Sequence, residues 1–298
     1  MAAGRTTETI VVLADRRRPR AVSHLMPGDF EPYLTRWKLT PDGEPFQTHS
    51  SRLLPVRHGD EAAMLKIALA QQEQRACRLM VWWDGDGAAR VLAHDDGVLV
   101  MERLAGPRSL NAMARGGEAG DEEATRILCD ALARLHAPRG TPPHMLVPIE
   151  QWLADLWPAA DSRGGILARS AEVARRLLTT PQDITVLHGD LHHDNVLDGG
   201  PRGWLAIDPH ALVGERGFDY ANIFCNPEGT DIPITPGRLA WRVDVVAEAG
   251  GLDRRRLLMW IMAYAGLSAA WYVQDHDEAG ARLPLAVAEA AAAELDRA

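Results

Sequence analysis

The sequence predicts an α+β protein of two lobes, in which a small strand-rich lobe precedes a larger, mainly helical one. Apolar runs of strand length dominate residues 1–104, whereas residues 105–298 mostly show the helical period of 3.6 residues. A short strand-rich segment, residues 186–209, interrupts the helical part. With 298 residues, 46 % of them apolar, the chain is long enough to bury two modest cores.

Five apolar runs predict the strands of the first lobe, namely residues 37–40, 51–57, 62–68, 88–93 and 97–104. A helix is predicted over residues 68–79, which are rich in Ala, Gln and Leu. Seven helices are predicted in the second lobe, over residues 122–136, 149–157, 166–178, 218–224, 238–248, 254–273 and 285–295. The boundary between the lobes is expected after residue 104, where a strand meets Gly106 and Pro107.

Three polar residues in the strand-rich interruption carry the main chemical signal. Asn195 follows Asp190 by five positions, and Asp208 follows it by eighteen, just after an apolar run. Protein-kinase-like enzymes use this order for a catalytic base and two Mg²⁺ ligands. Mg²⁺ prefers hard oxygen ligands, and phosphoryl transfer needs its positive charge to neutralise the phosphates. The sequence therefore predicts a protein-kinase-like fold, with Asp190 as the base and with Asn195 and Asp208 as metal ligands.

Such a site also needs an upstream lysine for the phosphates of ATP and an acid that orients it. Lys66 lies in the predicted strand 62–68, and Glu73 follows in the predicted helix. Only Lys38 and Lys66 are lysines among 32 basic residues, so a generic positive charge in this chain is usually arginine. A lysine retained against that bias suggests a task for a compact ammonium group. Glu61 is the alternative partner for Lys66.

Further nucleotide contacts are expected on both sides of the cleft. The turn over residues 41–50 contains only Gly43 where protein kinases have a glycine-rich loop, so backbone amides and the hydroxyls of Ser50 and Ser51 are expected to contact the phosphates. The backbone from Glu102 to Leu104 is expected to bind the adenine edge. The sequence contains neither a Walker-type motif nor a dinucleotide-binding motif.

A zinc-dependent hydrolase is the alternative enzyme class. Potential metal ligands are dense around the motif, at positions 188, 190, 192, 193 and 194. The remaining histidines are scattered without a recurring ligand spacing. We therefore expect His188 to support the loop by packing and hydrogen bonding, and His192 and His193 to be polar loop residues.

The charge distribution indicates the class of partner. Residues 1–104 contain 14 basic and 14 acidic residues, so the net charge of −9 lies entirely in residues 105–298. This asymmetry favours a small cationic acceptor, although an ordinary acidic surface explains it equally well. The only basic cluster, residues 16–20, is too short for a nucleic-acid site. No nucleic-acid partner is expected, and the chain is expected to act as a monomer or a dimer.

The cellular location is expected to be the cytoplasm. The three cysteines show no paired spacing, which suggests neither disulfides nor a metal knuckle. The apolar run over residues 10–14 is too short for a signal peptide, and no apolar run approaches the length of a membrane span.

Several motifs together resemble the aminoglycoside/hydroxyurea phosphotransferase family. They are His-Gly-Asp-Leu-His-His-Asp-Asn at 188–195, Gly-Trp-Leu-Ala-Ile-Asp-Pro at 203–209, Gly-Phe-Asp-Tyr-Ala-Asn at 217–222, Trp-Asp-Gly-x-Gly-Ala-x-Arg-Val-Leu at 83–92 and Gly-Leu-Ser-Ala-Ala-Trp at 266–271. The resemblance extends over about residues 35–290 and, within the family, is strongest to streptomycin 6-phosphotransferases.

The resemblance implies that ATP and Mg²⁺ are used to phosphorylate a hydroxyl of a small, often cationic antibiotic. It assigns Asp190, Asn195, Asp208 and Lys66 the roles given above, and it implies that Asp219 braces the catalytic loop. Streptomycin carries guanidino groups, which bind carboxylates and stack on aromatic rings. The candidate acceptor contacts are therefore three acids near the last helices and one aromatic neighbour: Asp275, Asp277, Glu278 and Trp271. A kinase of hydroxyurea or another metabolite, and a pseudokinase without turnover, are the other hypotheses.

Overall fold

The computed structural model describes residues 27–297. The apolar run 10–14 and the basic run 16–20 lie outside these residues. The first part of the described chain forms a sheet and two helices: α1 (Glu31–Trp37), β1 (Leu39–Pro41), β2 (Phe46–Gln47), β3 (Ser51–His58), β4 (Glu61–Ala68), α2 (Gln71–Trp83), β5 (Val91–Asp95) and β6 (Val98–Glu102).

The sheet of this lobe has six strands in the order β1-β3-β4-β6-β5, with β2 paired to β3, and all pairs are antiparallel. Alternate residues of β4 face opposite sides of the sheet. Leu65 joins a small core that includes Phe30 and Val100, whereas Lys66 faces the opposite side, where the cleft lies. This two-residue period therefore directs the lysine toward the second lobe.

The second lobe is mainly helical and also contains short strands, which form two small sheets. Its elements are α3 (Leu110–Arg115), α4 (Glu118–Leu135), β7 (Val147–Pro148), α5 (Ile149–Trp152), α6 (Leu156–Arg163), α7 (Gly165–Thr179), β8 (Ile184–Leu187), β9 (Val196–Asp198), β10 (Trp204–Ala206), β11 (Leu212–Glu215), α8 (Gly217–Asn222), α9 (Arg238–Gly250), α10 (Arg254–Gln274) and α11 (Glu278–Arg297). β9 pairs with β10, and β11 lies between β7 and β8. The loop between β8 and β9 carries Asp190.

The helix α10 forms the centre of the second lobe and packs against α7, α8 and α11. By length and composition alone it could cross a membrane, but 78 % of its most apolar 18-residue stretch is buried inside the protein. Large side chains such as Trp260 and Tyr264 fill this core. The apolar character of α10 is therefore that of a core helix.

Several predicted element bounds differ from the structure. The predicted strand 37–40 is the end of α1 followed by β1, and α2 covers residues 71–83 instead of 68–79. The predicted helix 149–157 is divided, because Pro158 has no N–H to bond the carbonyl of residue 154. The last helix begins at Glu278, seven residues before the predicted start, and it includes the buried Pro284. The predicted lobe boundary after residue 104 stays a prediction.

Candidate active site

One buried carboxylate, that of Asp219, holds the backbone just before Asp190 by hydrogen bonds. Asp219, in the first turn of α8, is fully buried. Its Oδ2 accepts the backbone N–H of His188 at 2.8 Å, and its Oδ1 accepts that of Gly189 at 2.7 Å. The Nε2 atom of His136 lies 2.8 Å from Oδ2. These bonds fix the backbone that leads directly into Asp190, where the resemblance implied a brace.

Two further features of the loop explain its local sequence. Gly189 has φ +83°, and a Cβ atom there would lie 2.8 Å from Leu212 and 2.9 Å from the Cβ of His210, so glycine is required. His188 accepts the N–H of Asp190 at Nδ1 over 3.2 Å, and its Nε2 lies 2.9 Å from the carbonyl oxygen of Ile207. Burial lowers the pKa of His188 to about 4, so the ring is neutral and donates from Nε2.

The carboxylate of Asp190 has two chemically different oxygens. Oδ1 accepts a hydrogen bond from Nδ2 of Asn222 at 3.2 Å. Oδ2 lies 3.5 Å from Nδ2 of Asn195, 3.6 Å from Nε2 of His192 and 3.8 Å from Nε2 of His210. The Nδ1 atom of His192 accepts the N–H of Asp194, which places the ring proton on Nε2, toward Asp190. Donors therefore surround both oxygens.

The predicted lysine lies between two carboxylates. Lys66 is buried, with its Nζ atom 2.5 Å from Oε2 of Glu73 and also paired with Oδ1 of Asp208. Burial lowers the pKa of Lys66, but Asp208 and Glu73 outweigh it and hold the pKa above the usual value. The alternative partner Glu61 instead pairs with Arg90 at the surface. The structure thus brings Lys66, Glu73 and Asp208 together across the cleft.

Asn195 and Asp208 fit the requirements of a Mg²⁺ site. The amide nitrogen of Asn195 donates to the carbonyl oxygen of Asp190 at 2.8 Å, while its Oδ1 is buried and has no hydrogen-bond donor among the described residues. A buried oxygen without a partner next to an acid is suited to a hard cation. Asp208 has φ +61°, a conformation that is uncommon outside glycine and that proteins tend to retain at functional sites.

The remaining expected nucleotide contacts have mixed outcomes. Ser50 and Ser51 donate their hydroxyls to the two oxygens of Glu73, at 3.1 and 3.2 Å, so they orient this acid. Ser50 also lines the cavity that contains Asp208, and the expected phosphate contacts of both serines stay predictions. The side chain of Glu102 accepts the N–H of Arg90 at 2.6 Å, and its own amide bonds to the carbonyl of Arg90. The amide of Leu104 has no acceptor within residues 27–297, so it can donate to a base.

An open cavity of about 290 Å³ adjoins Asp190 and Asp208. Two of the expected acceptor contacts, Trp271 and Asp275, line it. The other two do not. Asp277 caps α11 by accepting the N–H of Gly280 at 2.9 Å, and Glu278 pairs with Arg163 at the surface. Since neither acid is among the residues that line the cavity, their role as acceptor contacts stays a prediction.

The sequence reasoning missed other lining residues, chiefly Trp152, Asp155 and His210. Nε1 of Trp271 donates to Oδ2 of Asp155 at 3.1 Å, and the ring of Trp152 lies edge-on to Trp271, with centroids 5.9 Å apart. The three missed residues come from α5 and from the segments that follow α5 and Asp208. No local pattern signals them, because tertiary packing places them in the cavity beside Asp190.

The hydrolase alternative lacks its ligand set. Within the described part of the chain, no group of three or more His, Cys, Asp or Glu side chains is arranged to hold a metal ion. Both ring nitrogens of His188 are engaged by the backbone, and His193 is buried with its pKa well below the usual value because of burial.

Comparisons with known proteins agree with this geometry. The sequence profile of the aminoglycoside/hydroxyurea antibiotic resistance kinase family matches residues 36–276. A streptomycin 3''-kinase from Klebsiella pneumoniae is 53 % identical over 246 residues, which cover 81 % of this chain and 91 % of that protein. A streptomycin 6-kinase from Streptomyces griseus is 34 % identical over 271 residues, covering 86 % of each.

The fold has close structural counterparts among small-molecule kinases. A choline/ethanolamine kinase family protein from Mesorhizobium loti superposes with a TM-score of 0.63 over 89 % of this chain and 93 % of its own, at 17 % identity. This likeness shows the protein-kinase-like fold. Together with the family profile and the relatives, it shows that the chain belongs to the aminoglycoside/hydroxyurea antibiotic resistance kinase family, whose members are phosphotransferases that act on hydroxyl groups.

Proposed function

We propose that this enzyme uses ATP and Mg²⁺ to phosphorylate a hydroxyl of a cationic aminoglycoside, with streptomycin as the first acceptor to test. The observation that carries the proposal is one continuous cleft. It is lined both by Asp190 and Asp208, the latter paired with Lys66, and by the acidic and aromatic pair Asp155 and Trp271. A nucleotide site and a cation-binding site thus share one carboxylate-lined space.

In this reaction Asp190 accepts or orients the proton of the acceptor hydroxyl. The acceptor oxygen forms a bond to the γ-phosphorus, the bond from that phosphorus to the β–γ bridging oxygen breaks, and ADP carries away the electron pair. Lys66 binds the α- and β-phosphates, and Glu73 orients it through their ion pair at 2.5 Å. The Leu104 amide donates to the adenine edge. A bound Mg²⁺, held by Asn195 and Asp208, supplies charge neutralisation on the phosphates.

The side of the cavity that contains Asp155 and Trp271 suits a planar cation. Asp155 and Asp275 offer carboxylates, and Trp152 and Trp271 offer aromatic surfaces within the same cavity. Guanidinium groups bind carboxylates in a bidentate manner and stack on aromatic rings. The guanidino groups of streptomycin have this chemistry. The greater identity to the 3''-kinase, 53 % against 34 % for the 6-kinase, favours the 3''-hydroxyl as the acceptor position.

The enzyme is proposed to act in the cytoplasm, since the spacing of its three cysteines predicts no disulfide framework. Its oligomeric state, monomer or dimer, is open to direct measurement by sedimentation.

A coupled assay of ATP consumption with Mg²⁺ tests the proposal. Streptomycin should stimulate turnover more than hydroxyurea or neutral sugars that lack amino groups. Mass spectrometry should find one added phosphoryl group on the 3''-hydroxyl of streptomycin. Asp190→Asn should lower kcat by about 10³-fold, within the range of general-base catalysis, while ADP still binds. The surface variant Asp96→Asn serves as the control and should match the wild type.

Each other outcome identifies a different error. Turnover of hydroxyurea or another metabolite alone would replace the acceptor assignment but keep the kinase. Nucleotide binding without any turnover would favour the pseudokinase hypothesis. Unchanged turnover by Asp190→Asn would remove Asp190 from its role as the base.

A further inference from the structure

His210 lies where the acceptor must approach the base. It follows Asp208 and Pro209 in the chain, lines the cavity and lies between Trp152 and Asp190. Its backbone N–H donates to the carbonyl oxygen of His188 at 2.6 Å, and its Cβ packs over Gly189. These contacts tie the position of His210 to the same loop that carries Asp190.

The distance between the two side chains leaves room for an oxygen atom. Nε2 of His210 and Oδ2 of Asp190 are 3.8 Å apart, beyond the usual hydrogen-bond range of about 2.7–3.2 Å. A hydroxyl oxygen placed beside both can bond to each within that range. Oδ2 is the oxygen of Asp190 that faces this gap, because it is the one that lies 3.8 Å from Nε2 of His210, while Oδ1 accepts from Asn222.

The surroundings of the ring indicate which nitrogen carries the proton. Nδ1 of His210 and Nε1 of Trp152 are both buried and have no hydrogen-bond partner among residues 27–297. The two rings pack with centroids 4.9 Å apart. Nε2 is the ring nitrogen that faces the carboxylate of Asp190, and a neighbouring carboxylate favours the tautomer whose proton is on that nitrogen.

We propose that His210 is a second residue in contact with the acceptor, and that its Nε2–H donates to the acceptor hydroxyl oxygen while Oδ2 of Asp190 accepts the hydroxyl proton. The two bonds together orient a lone pair of that oxygen toward the γ-phosphorus. The histidine keeps its own proton throughout. This assignment rests on the proposed function, because it concerns the same acceptor in the same cleft.

Three variants test the assignment with streptomycin and Mg²⁺-ATP. His210→Ala removes the donor, His210→Gln carries an amide N–H at about the reach of Nε2, and His210→Asn carries one only at the reach of Nδ1. His210→Ala should lower kcat on the order of 10²-fold, since small misplacement of a reacting group costs about that much. The KM for ATP, the affinity for ADP and the melting temperature should stay near those of the wild type.

Rescue separates an acceptor contact from a packing role. His210→Gln should recover at least tenfold of the loss relative to His210→Ala, as expected for one restored hydrogen bond, and His210→Asn should not. Equal kcat in all three variants, or a kcat of His210→Ala within twofold of the wild type, would overturn the assignment. If the wild type phosphorylated no acceptor, the proposed function itself would fail, and the contact with it. If the wild type turned over and His210→Ala kept the wild-type kcat, only the contact between His210 and the acceptor would be rejected.

Discussion

The most constrained residue of the site is Lys66, because it is a buried cation between two carboxylates. Both Glu73 and Asp208 contact its ammonium group, and the neighbouring loop adds the hydroxyls of Ser50 and Ser51 to Glu73. A guanidinium is broader and planar, so it does not fit a space shaped for a compact ammonium. The retention of lysine in a chain with 32 basic residues, nearly all arginine, therefore has a steric reason.

Lys66→Arg is accordingly expected to impair the enzyme despite its unchanged charge. We expect kcat/KM for ATP to fall by at least about tenfold, because the misfitting side chain displaces Glu73 or Asp208. Steady-state kinetics with ATP varied is the measurement. Lys38→Arg, at the exposed end of α1, is the matched control and should behave as the wild type. An active Lys66→Arg enzyme would show that only charge is required.

A second residue-scale prediction concerns pH and His188. Its pKa is about 4 in the folded protein because of burial, against 6.5 for an ordinary histidine. Between these values the unfolded chain binds a proton that the folded protein excludes, so the free energy of unfolding falls as the pH decreases. The loss should be about 1.4 kcal/mol for each pH unit below 6.5, until the pH reaches the folded pKa.

Urea unfolding of the wild type and His188→Gln between pH 7 and pH 5 measures this contribution. Other titrating groups affect both proteins, so the difference between their pH slopes isolates His188. The wild type should lose stability more steeply than the variant. Parallel slopes would mean that the ring is protonated in the folded protein or that its burial is smaller.

At the scale of elements, a buried ion pair joins α4 to α9. Nη2 of Arg238 donates to Oδ1 of Asp121 at 2.8 Å, and both side chains are 5 % exposed. Arg242, one turn further along α9, is fully buried and donates to Thr125 of α4 and to the carbonyl oxygen of Ile223. Burial and then the Arg238 guanidinium lower the pKa of Arg242 to about 9. Asp121 is thus the carboxylate that faces two buried cations.

The two ends of this pair should respond unequally to mutation. Asp121→Leu leaves both guanidinium groups without their carboxylate and should cost about 3–5 kcal/mol of unfolding free energy. Arg238→Met should cost less, since Arg242 then remains near Asp121. Chemical denaturation measures both. Arg126→Ala, which breaks exposed pairs with Glu122 and with Glu248 of α9, is the control and should change stability by no more than about 1 kcal/mol. Equal costs for the two buried substitutions would contradict this account.

Sequence patterns predicted the elements well where one apolar period was uninterrupted. The central strands β3, β4 and β6 and the helices α7, α9 and α10 lie close to their predicted bounds. The errors occur where capping or proline decides. Asp277 caps α11 and moves its start before Pro284, and Pro158 divides the helix predicted over 149–157. The short helix α3 was missed because six residues show too little periodicity.

At the scale of the whole molecule, several acids of the second lobe line one cavity. Asp155 and Asp275 contribute negative charge there, beside Asp190 and Asp208. Long-range attraction of a cation weakens as salt screens it. The KM for streptomycin should therefore rise with ionic strength, whereas kcat should change little.

Asp155→Asn tests whether this attraction is local. We expect the KM for streptomycin to rise about tenfold and its dependence on salt to weaken, since one charged hydrogen bond is lost. Asp161→Asn, an exposed acid on α6 outside the cavity lining, should change neither quantity. If both variants raised KM equally, the net charge of the lobe and not a contact at Asp155 would be responsible.

The sequence by itself determined the chemistry that depends on short spacing. Asp190 and Asn195 lie on one loop and Asp208 follows the hairpin of β9 and β10 that comes next, so their order alone predicted a phosphoryl-transfer site, and the rarity of lysine identified Lys66. The tertiary structure alone decided which other residues line the cavity. Trp152 and Asp155 come from a distant segment, and their place beside His210 and the predicted Trp271 depends on how α5 and α10 pack beside the loop. The apolar periodicity of a segment does not indicate which other helix it packs against, so this part of the site follows only from the fold.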